Sequence, residues 1–241
     1  MANGVYIGMS AAIAAERRLE VTANNIANVD TTGFRQQRVV FGEHLVRTLD
    51  GTPAQKGFTA VDASVLDATA GALTATGNPL DLAIDGDGYF AMRSPQGVLV
   101  SRAGNFAMNE EGMLVDASGL PVLGGSPEQG LSPIMLRPDG GPVSVGTDGT
   151  VVQDGTPLAQ IAVVTADGTG LTPTGGAHLQ AAPGALRTAD ATLHSGHLES
   201  SNVNPVRGMV DLVEVSHDYQ RSQKLMSEFR KLDRAIMGVV G

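Results

Sequence analysis

Apolar and polar positions sort the chain into two helical ends and a strand-like centre. Near the N-terminus, Val5, Ala12, Leu19 and Ile26 recur every seven residues, with Met9 and Ala23 three residues ahead of the next member. That 4,3 repeat places them on one stripe of a helix. Glu16 falls on the stripe and interrupts it. Thr31-Thr32-Gly33 is turn chemistry and Gly33 tolerates positive φ, so the helix is predicted to stop near Asn28–Asp30. At the other end Leu212, Val215, Tyr219, Met226, Phe229 and Ile236 follow a 3,4 spacing, with Ser222 and Asp233 as polar gaps. Leu225, Leu232 and Val239 widen that apolar face, while Arg221, Lys224, Glu228, Arg230 and Lys231 sit mainly off it. Chain breakers agree with this division. Residues 5–30 hold one glycine and no proline, residues 209–237 hold neither, and all 12 prolines lie between Gly42 and Gly208.

The centre reads as short strands. Leu80, Leu82 and Ile84 alternate with Asp81, Ala83 and Asp85, the pattern of a half-buried strand. Further strands are predicted at Tyr89–Met92, Val98–Arg102, Asn105–Met108, Met113–Val115, Leu120–Leu123, Val143–Val145, Thr150–Gln153 and Leu158–Val164. Turns are expected at Gly86-Asp87-Gly88, Asn109–Gly112, Ser118-Gly119, Thr147-Asp148-Gly149 and Asp154-Gly155, where an Asp-Gly pair suits the positive φ of a tight hairpin. Short, evenly spaced strands point to an all-β barrel or sandwich rather than βαβ units. Residues 42–76, with Gly51, Pro53 and Gly57, read as an extended or partly ordered connector. Residues 165–195 are punctuated in the same way. The predicted class is α+β: N- and C-terminal helices flank a mainly β middle domain, the helices either packing on an ordinary core or pairing as a coiled coil with each other and with neighbouring subunits. The predicted segments are 1–35 (helix), 36–75 (connector), 76–195 (β-rich) and 196–241 (helix).

Composition narrows the function classes. Among 241 residues the formal charge is −9, which argues against a nucleic-acid groove and its basic face. The apolar fraction of 42% suffices for a core, but aromatics are only 4%, so that core rests on Val, Leu, Ile, Ala and Met. Without cysteine there are no disulfides, zinc fingers, iron–sulfur clusters or thiol nucleophiles. No run approaches the ~18 apolar residues of a membrane span. Met1–Leu19 lacks a basic n-region and is interrupted by Glu16, Arg17 and Arg18, so no cleaved signal peptide is expected.

Candidate chemistry is sparse. Asp85-Gly86-Asp87-Gly88 opens like a calcium loop, but Tyr89 and Phe90 stand where further oxygen ligands are needed, and a hairpin turn accounts for it better. His194 and His197, with Glu199 nearby, are three apart around Ser195-Gly196, the wrong spacing for a helical zinc pair. They read as surface histidines. Glu110-Glu111 and Asp116 lie in turn-like sequence with no sign of the burial that tunes a general acid or base. Arg35 and Arg38 add to Arg17 and Arg18 as positive charge on a solvated face. No catalytic, cofactor or metal residue is assigned.

Three blocks resemble the bacterial flagellar rod and hook proteins. The first is Ala23-Asn24-Asn25-Ile26-Ala27-Asn28-Val29-Asp30-Thr31-Thr32-Gly33-Phe34-Arg35. The second runs from Gly71 to Phe90, through Gly77-Asn78-Pro79-Leu80 and Asp85-Gly86-Asp87-Gly88, and continues into Ser101–Phe106 and Gly112–Val115. The third is Leu198-Glu199-Ser200-Ser201-Asn202-Val203-Asn204-Pro205, followed by the apolar helix with Tyr219. Glu214–Tyr219 and Leu232–Ile236 look more like the proximal rod member than the distal one.

The resemblance implies a non-enzymatic subunit of the rod, which carries torque between motor and hook and surrounds the export channel. It implies export through the flagellar type III apparatus, a place in the basal body where the rod crosses the periplasm, and partners among other rod proteins and copies of itself. It also implies paired terminal helices around a channel, with the β domain outward. Helices broken by Glu16, Ser222 or Asp233 draw their stability from packing, so the ends are expected to be mobile in the monomer and to order against neighbours. Candidate assembly residues are Asn24, Asn25, Asn28, Gly33, Phe34, Ser201, Asn202, Val203, Tyr219, Met226 and Phe229. The asparagines fit local capping and inter-subunit contact equally. Competing readings are the distal rod protein, a secreted β-rich wall hydrolase, which needs convergent acidic or nucleophilic groups, and an exported adhesin, which needs an attachment signal that Val239-Val240-Gly241 does not offer.

Overall fold

The structure is a computed structural model that describes residues 2–47, 53–166 and 171–239, with side chains over 8–42, 64–166 and 171–231. In chain order the elements begin with α1 (Ala2–Ala27), β1 (Gln37–Arg47), β2 (Pro53–Leu66), β3 (Leu73–Ala75), β4 (Leu82–Asp85), β5 (Tyr89–Ser94), β6 (Gly97–Ser101), β7 (Ala107–Met108) and β8 (Leu114–Val115). They continue with β9 (Leu123–Ser126), β10 (Gly130–Pro133), β11 (Val143–Val145), β12 (Thr150–Gln153), β13 (Thr156–Gln160), β14 (Val163–Ala166) and β15 (Leu171–Gly175). The last are β16 (His178–Ala181), β17 (Leu186–Thr188), β18 (Thr192–Ser195), β19 (His197–Glu199) and α2 (Pro205–Val239). One helix at each end and a mainly β middle make the chain α+β. Two compact units result: Met1–Val29 with Gln36–Ala68 and Val203–Gly241, and Asp30–Arg35 with Thr69–Asn202. The short stretch 30–35 therefore belongs with the strands, although the sequence groups it with the first helix.

In the helical unit, α1 buries Gly8, Ala12, Ala15 and Asn25, and half-buries Leu19, Thr22 and Ile26. Of the seven-residue members of the predicted stripe, Ala12, Leu19 and Ile26 hold, but its intermediate positions are corrected. They are Gly8, Ala15 and Thr22, not Met9, Glu16 and Ala23, which are exposed. Glu16 therefore lies beside the stripe and does not break it. Small residues win these positions because they admit a close neighbour: a Cβ added to Gly8 would lie 2.8 Å from Met226 Cγ, and one on Gly208 would lie 3.0 Å from Ile26 Cγ1. These two contacts run in opposite chain directions along α1 and α2.

On α2 the buried face follows the predicted spacing through Leu212, Val215, Tyr219, Ser222, Met226 and Phe229. Ser222 is tolerated there because its hydroxyl donates to the Asp218 carbonyl at 2.9 Å. Leu225 does not widen this face; it is exposed. The side chains of Val5, Leu232, Asp233, Ile236 and Val239 lie outside the described set.

Residues 42–76, expected as a connector, carry most of an antiparallel hairpin in which β1 pairs with β2 from Gln37↔Leu66 to Arg47↔Pro53, with register shifts at Val40/Phe41 and Leu45/Arg47. Two shifts in one ladder displace the side-chain alternation, which is why no period of two is visible in the sequence. Gly51 lies outside the described residues.

In the β unit every strand pairing among the described residues is antiparallel. The largest sheet has the order β15-β16-β6-β5-β14-β17, joined by a three-stranded sheet β11-β12-β13 and several two-stranded ones. The core gathers Leu82, Ile84, Phe90, Met92, Phe106, Leu114, Ile134 and Leu193. Burying each such side chain contributes ~1.5–3 kcal/mol. Phe90 and Phe106 meet edge to face, with centroids 5.0 Å apart.

The Asp154-Gly155 turn has φ of 53° and 73°, as an Asp-Gly hairpin requires, and joins Gln153 to its partner Thr156. The expected half-buried strand at 80–85 is corrected: Leu82, Ala83 and Ile84 are all buried, so both faces of β4 are covered. The single strand expected over Leu158–Val164 is two, β13 and β14, in different sheets. The stretch 165–195 holds β15 to β18 despite its glycines and prolines.

Candidate assembly surface

The end of α1 is held by its asparagines. Asn25 is buried, and its side-chain amide makes both hydrogen bonds of a strand partner with Gln37: Nδ2 donates to the Gln37 carbonyl at 2.9 Å, and Oδ1 accepts the Gln37 N–H at 2.9 Å. It thereby ties the last turn of α1 to the first residue of β1. Asn28 Nδ2 donates to the Asn24 carbonyl at 2.9 Å, which also accepts the Asn28 N–H at 3.2 Å, while the Asn24 side chain is exposed.

The stretch that follows is seated in the β unit. Gly33 has φ +66°, and its N–H donates to the Glu199 carbonyl at 2.8 Å. Phe34 is buried, and Asn202 Nδ2 donates to the Thr69 carbonyl and hydroxyl at 2.9 and 3.2 Å. Ser201 is half-buried and Val203 buried. Tyr219, Met226 and Phe229 are each half-buried on α2. Asn25, Gly33, Phe34 and Asn202 are thus bonded or packed within their own chain, each inside its own unit.

Glu199 is the electrostatic centre of the β unit. Its Oε1 lies 2.7 Å from Arg35 Nη2 and accepts the Gly71 N–H at 2.8 Å; its Oε2 lies 3.3 Å from Arg102 Nη1. Arg102 also donates to the carbonyls of Ile84 and Gly86, at 3.1 and 2.6 Å, and its guanidinium stands 5.5 Å from the Tyr89 ring centroid. Burial pushes the Arg102 guanidinium below its ordinary value, opposed by the Glu199 charge. Arg35, read from the sequence as solvated, is only 6% exposed, and Glu199 is 1% exposed. Which arginine meets a carboxylate far along the chain has no local signal.

A second pair was equally hidden. Asp116, read as an ordinary turn carboxylate, is buried; its Oδ2 stands 2.7 Å from His178 Nε2 and its Oδ1 accepts the N–H groups of Ser118 and Leu120. Burial raises its carboxyl, but the His178 bond and the two N–H groups outweigh it, and the net shift is below the ordinary 3.8. His194 and His197 lie on β18 and β19, with His194 Nε2 3.5 Å from Asp85 Oδ2. No helix among the described residues is long and apolar enough to cross a membrane.

What remains uncovered is apolar. On α2, Val206, Met209, Val210 and Val213 are 72, 57, 62 and 55% exposed. At 3.6 residues per turn they share one side of the helix, opposite the stripe that holds Val215, Tyr219 and Ser222. On α1, Met9 and Ile13 are exposed beside the buried face. The 3,1,3 spacing of the α2 group was visible in the sequence, but the core-facing stripe masks it.

The description "Flagella basal body rod protein" matches residues 5–35, "Flagellar hook protein FlgE/F/G D1 domain" matches 83–153, and "Flagellar basal body rod FlgEFG protein C-terminal" matches 194–239. The flagellar basal-body rod protein FlgF of Caulobacter vibrioides is 34% identical over 249 residues, covering 100% of this chain and 99% of that one. FlgF of Mesorhizobium japonicum is 34% identical over 233 residues, 95% and 93% of the two chains. The rod protein FlgG of Bacillus subtilis is 32% identical over 260 residues, 94% and 95% of the two. The chain belongs to the family of flagellar basal-body rod proteins. It is a structural protein and not an enzyme.

Proposed function

We propose that this chain is a subunit of the proximal section of the flagellar rod, exported by the flagellar type III apparatus without a cleaved signal peptide and assembled where the rod crosses the periplasm. In this reading α1 and α2 pair as an inner layer around the export channel. The subunit joins copies of itself and other rod proteins into a shaft that transmits torque. Asn24, Asn28 and Ser201 line the contacts with neighbours, and Asn25, Gly33, Phe34, Asn202 and Val203, with Tyr219, Met226 and Phe229 on the buried face of α2, hold those contacts in place from within.

One observation carries the reading: α2 has a second apolar side, Val206-Met209-Val210-Val213, facing away from the one it buries. A helix apolar on opposite sides is half-finished in a single molecule, and a contiguous exposed patch of this kind marks a protein interface. A face that differs from the surface it meets builds a helical array when it repeats.

The test is deletion of the gene and complementation with this chain. Restored swimming and a completed rod support the reading; a full-length rod in the deletion strain sinks it. The likeness to FlgG of Bacillus subtilis favours a second reading, a distal rod subunit. Imaging where the aborted rod stops separates the two, since loss of a proximal subunit ends the shaft earlier.

A further inference from the structure

Three separate stretches of the β unit converge on Glu199. Arg35 comes from the stretch 30–35, Gly71 from the approach to β3, and Arg102 from the end of β6. The carboxylate accepts from Arg35 Nη2, Gly71 N–H and Arg102 Nη1, and the Glu199 carbonyl accepts the Gly33 N–H. Two buried guanidiniums face one buried carboxylate, so the cluster holds one positive charge more than it needs.

Removing each member in turn shows which is structurally required. Without Glu199, two buried cations lose their anion. Without Arg102, the carbonyls of Ile84 and Gly86 lose their donor. Without Arg35, the Arg102–Glu199 pair remains neutral and Oε1 keeps the Gly71 N–H. Arg35 is thus redundant for charge balance. It is also costly to bury: its side chain is 5% exposed, and its Nη1 is a buried donor with no acceptor among the described residues. Buried ion pairs are poor stabilisers, and their best-attested use is to specify register.

The surroundings show what register is at stake. A Cβ on Gly33 would lie 2.2 Å from the Ala103 nitrogen and the Arg102 carbonyl carbon, so no other residue of Thr31-Thr32-Gly33-Phe34-Arg35 fits that place. Phe34 is buried at 2% exposure in the next position. The residues that follow, Gln36 and Gln37, are also polar and long, and Arg38 repeats the guanidinium three positions on. Gly33, Phe34 and Arg35 therefore form a three-part key: no side chain, a ring, a cation.

We propose that Arg35 is a positioning residue that selects, through Glu199, the register in which residues 31–35 enter the β unit, while adding little net stability. The stretch seated in this way is the one that leaves α1, and its bearing on shaft assembly rests on the rod reading above. The register itself does not.

The test uses the full chain with Arg35→Met, Arg35→Lys and Glu199→Gln. Melting reports stability, amide exchange at Gly33 reports register, and swimming of the complemented deletion strain reports assembly. Arg35→Met is expected to melt within about 2 °C of the parent, against a drop of roughly 10 °C or failure to fold for Glu199→Gln. Exchange at Gly33 is expected to accelerate at least about tenfold in Arg35→Met and to be partly restored in Arg35→Lys. Swimming is expected to fall with the loss of Gly33 protection. Parental Gly33 protection in Arg35→Met overturns the proposal, as does a melting loss as large as that of Glu199→Gln. If the parent chain itself fails to restore swimming, the rod reading fails while the exchange result stands or falls on its own.

Discussion

At Gly33 the backbone has φ +66° and stands so close to Arg102 and Ala103 that a methyl group has no room. Two costs add in any substitution there, the left-handed backbone and the clash, and a β-branched residue meets both. Gly33→Val is expected to lower the stability of the β unit by more than ~2 kcal/mol in urea titration; a midpoint equal to the parent's would show that the seat is not rigid. Asp116 makes a different prediction. Its folded carboxyl lies below the ordinary 3.8, so its contribution is fully present above that value and disappears as pH falls through the lower folded one. Asp116→Asn is expected to cost about 1–2 kcal/mol at neutral pH and almost nothing at the acid end of that window. Denaturant midpoints for both proteins from pH 6 downward measure this, and a gap that stays constant with pH argues against it. Turn chemistry at Asp116 was legible because an Asx turn is local. Its bond to His178 was not, because β16 arrives from far along the chain.

At the scale of elements, α2 is the informative case. One apolar side, from Leu212 to Phe229, was readable as a 3,4 repeat and is the one that the chain buries. The other, Val206 to Val213, is left to solvent in the single molecule. Val210→Lys on the uncovered side should therefore leave monomer melting within ~0.5 kcal/mol of the parent, the usual range for a surface change, while blocking incorporation into rods. Loss of monomer stability would place Val210 in the core instead. The same logic corrects α1: its small residues Gly8 and Ala15 were overlooked as stripe members because a count of large apolar residues passes over them, although close helix contact selects for small ones. Strands fared unevenly for a related reason. Val143–Val145 and Thr150–Gln153, on either side of the Thr147-Asp148-Gly149 turn, have the limits the sequence predicts, whereas Leu158–Val164 merges two strands, and β15 to β18 are broken by glycine and proline and held by partners distant in sequence.

At the scale of the molecule, the two compact units differ in how they are held. The β unit closes around an apolar core and a charged cluster. The helical unit leaves large apolar side chains exposed at Met9, Ile13 and along α2. Limited trypsin treatment of the monomer is expected to attack the helical unit first and leave the β unit. Arg38, whose side chain is 68% exposed, should be cut readily, and the buried Arg35 should not. Because residues 30–35 are seated against Glu199, a peptide ending at Arg38 should remain bound to the β fragment on native size exclusion. Separation of the two under native conditions counts against the discontinuous unit.

The helical ends, the strand-rich middle, the Gly33 turn and the family signature were determined by the sequence alone, since each depends on periodicity or turn chemistry within a few residues. Tertiary structure alone decided which arginine is buried, where Asp116 finds its histidine, that 30–35 belongs with the strands, and which side of α2 stays bare. Those outcomes depend on chain segments that meet only after folding, and no local pattern encodes the meeting.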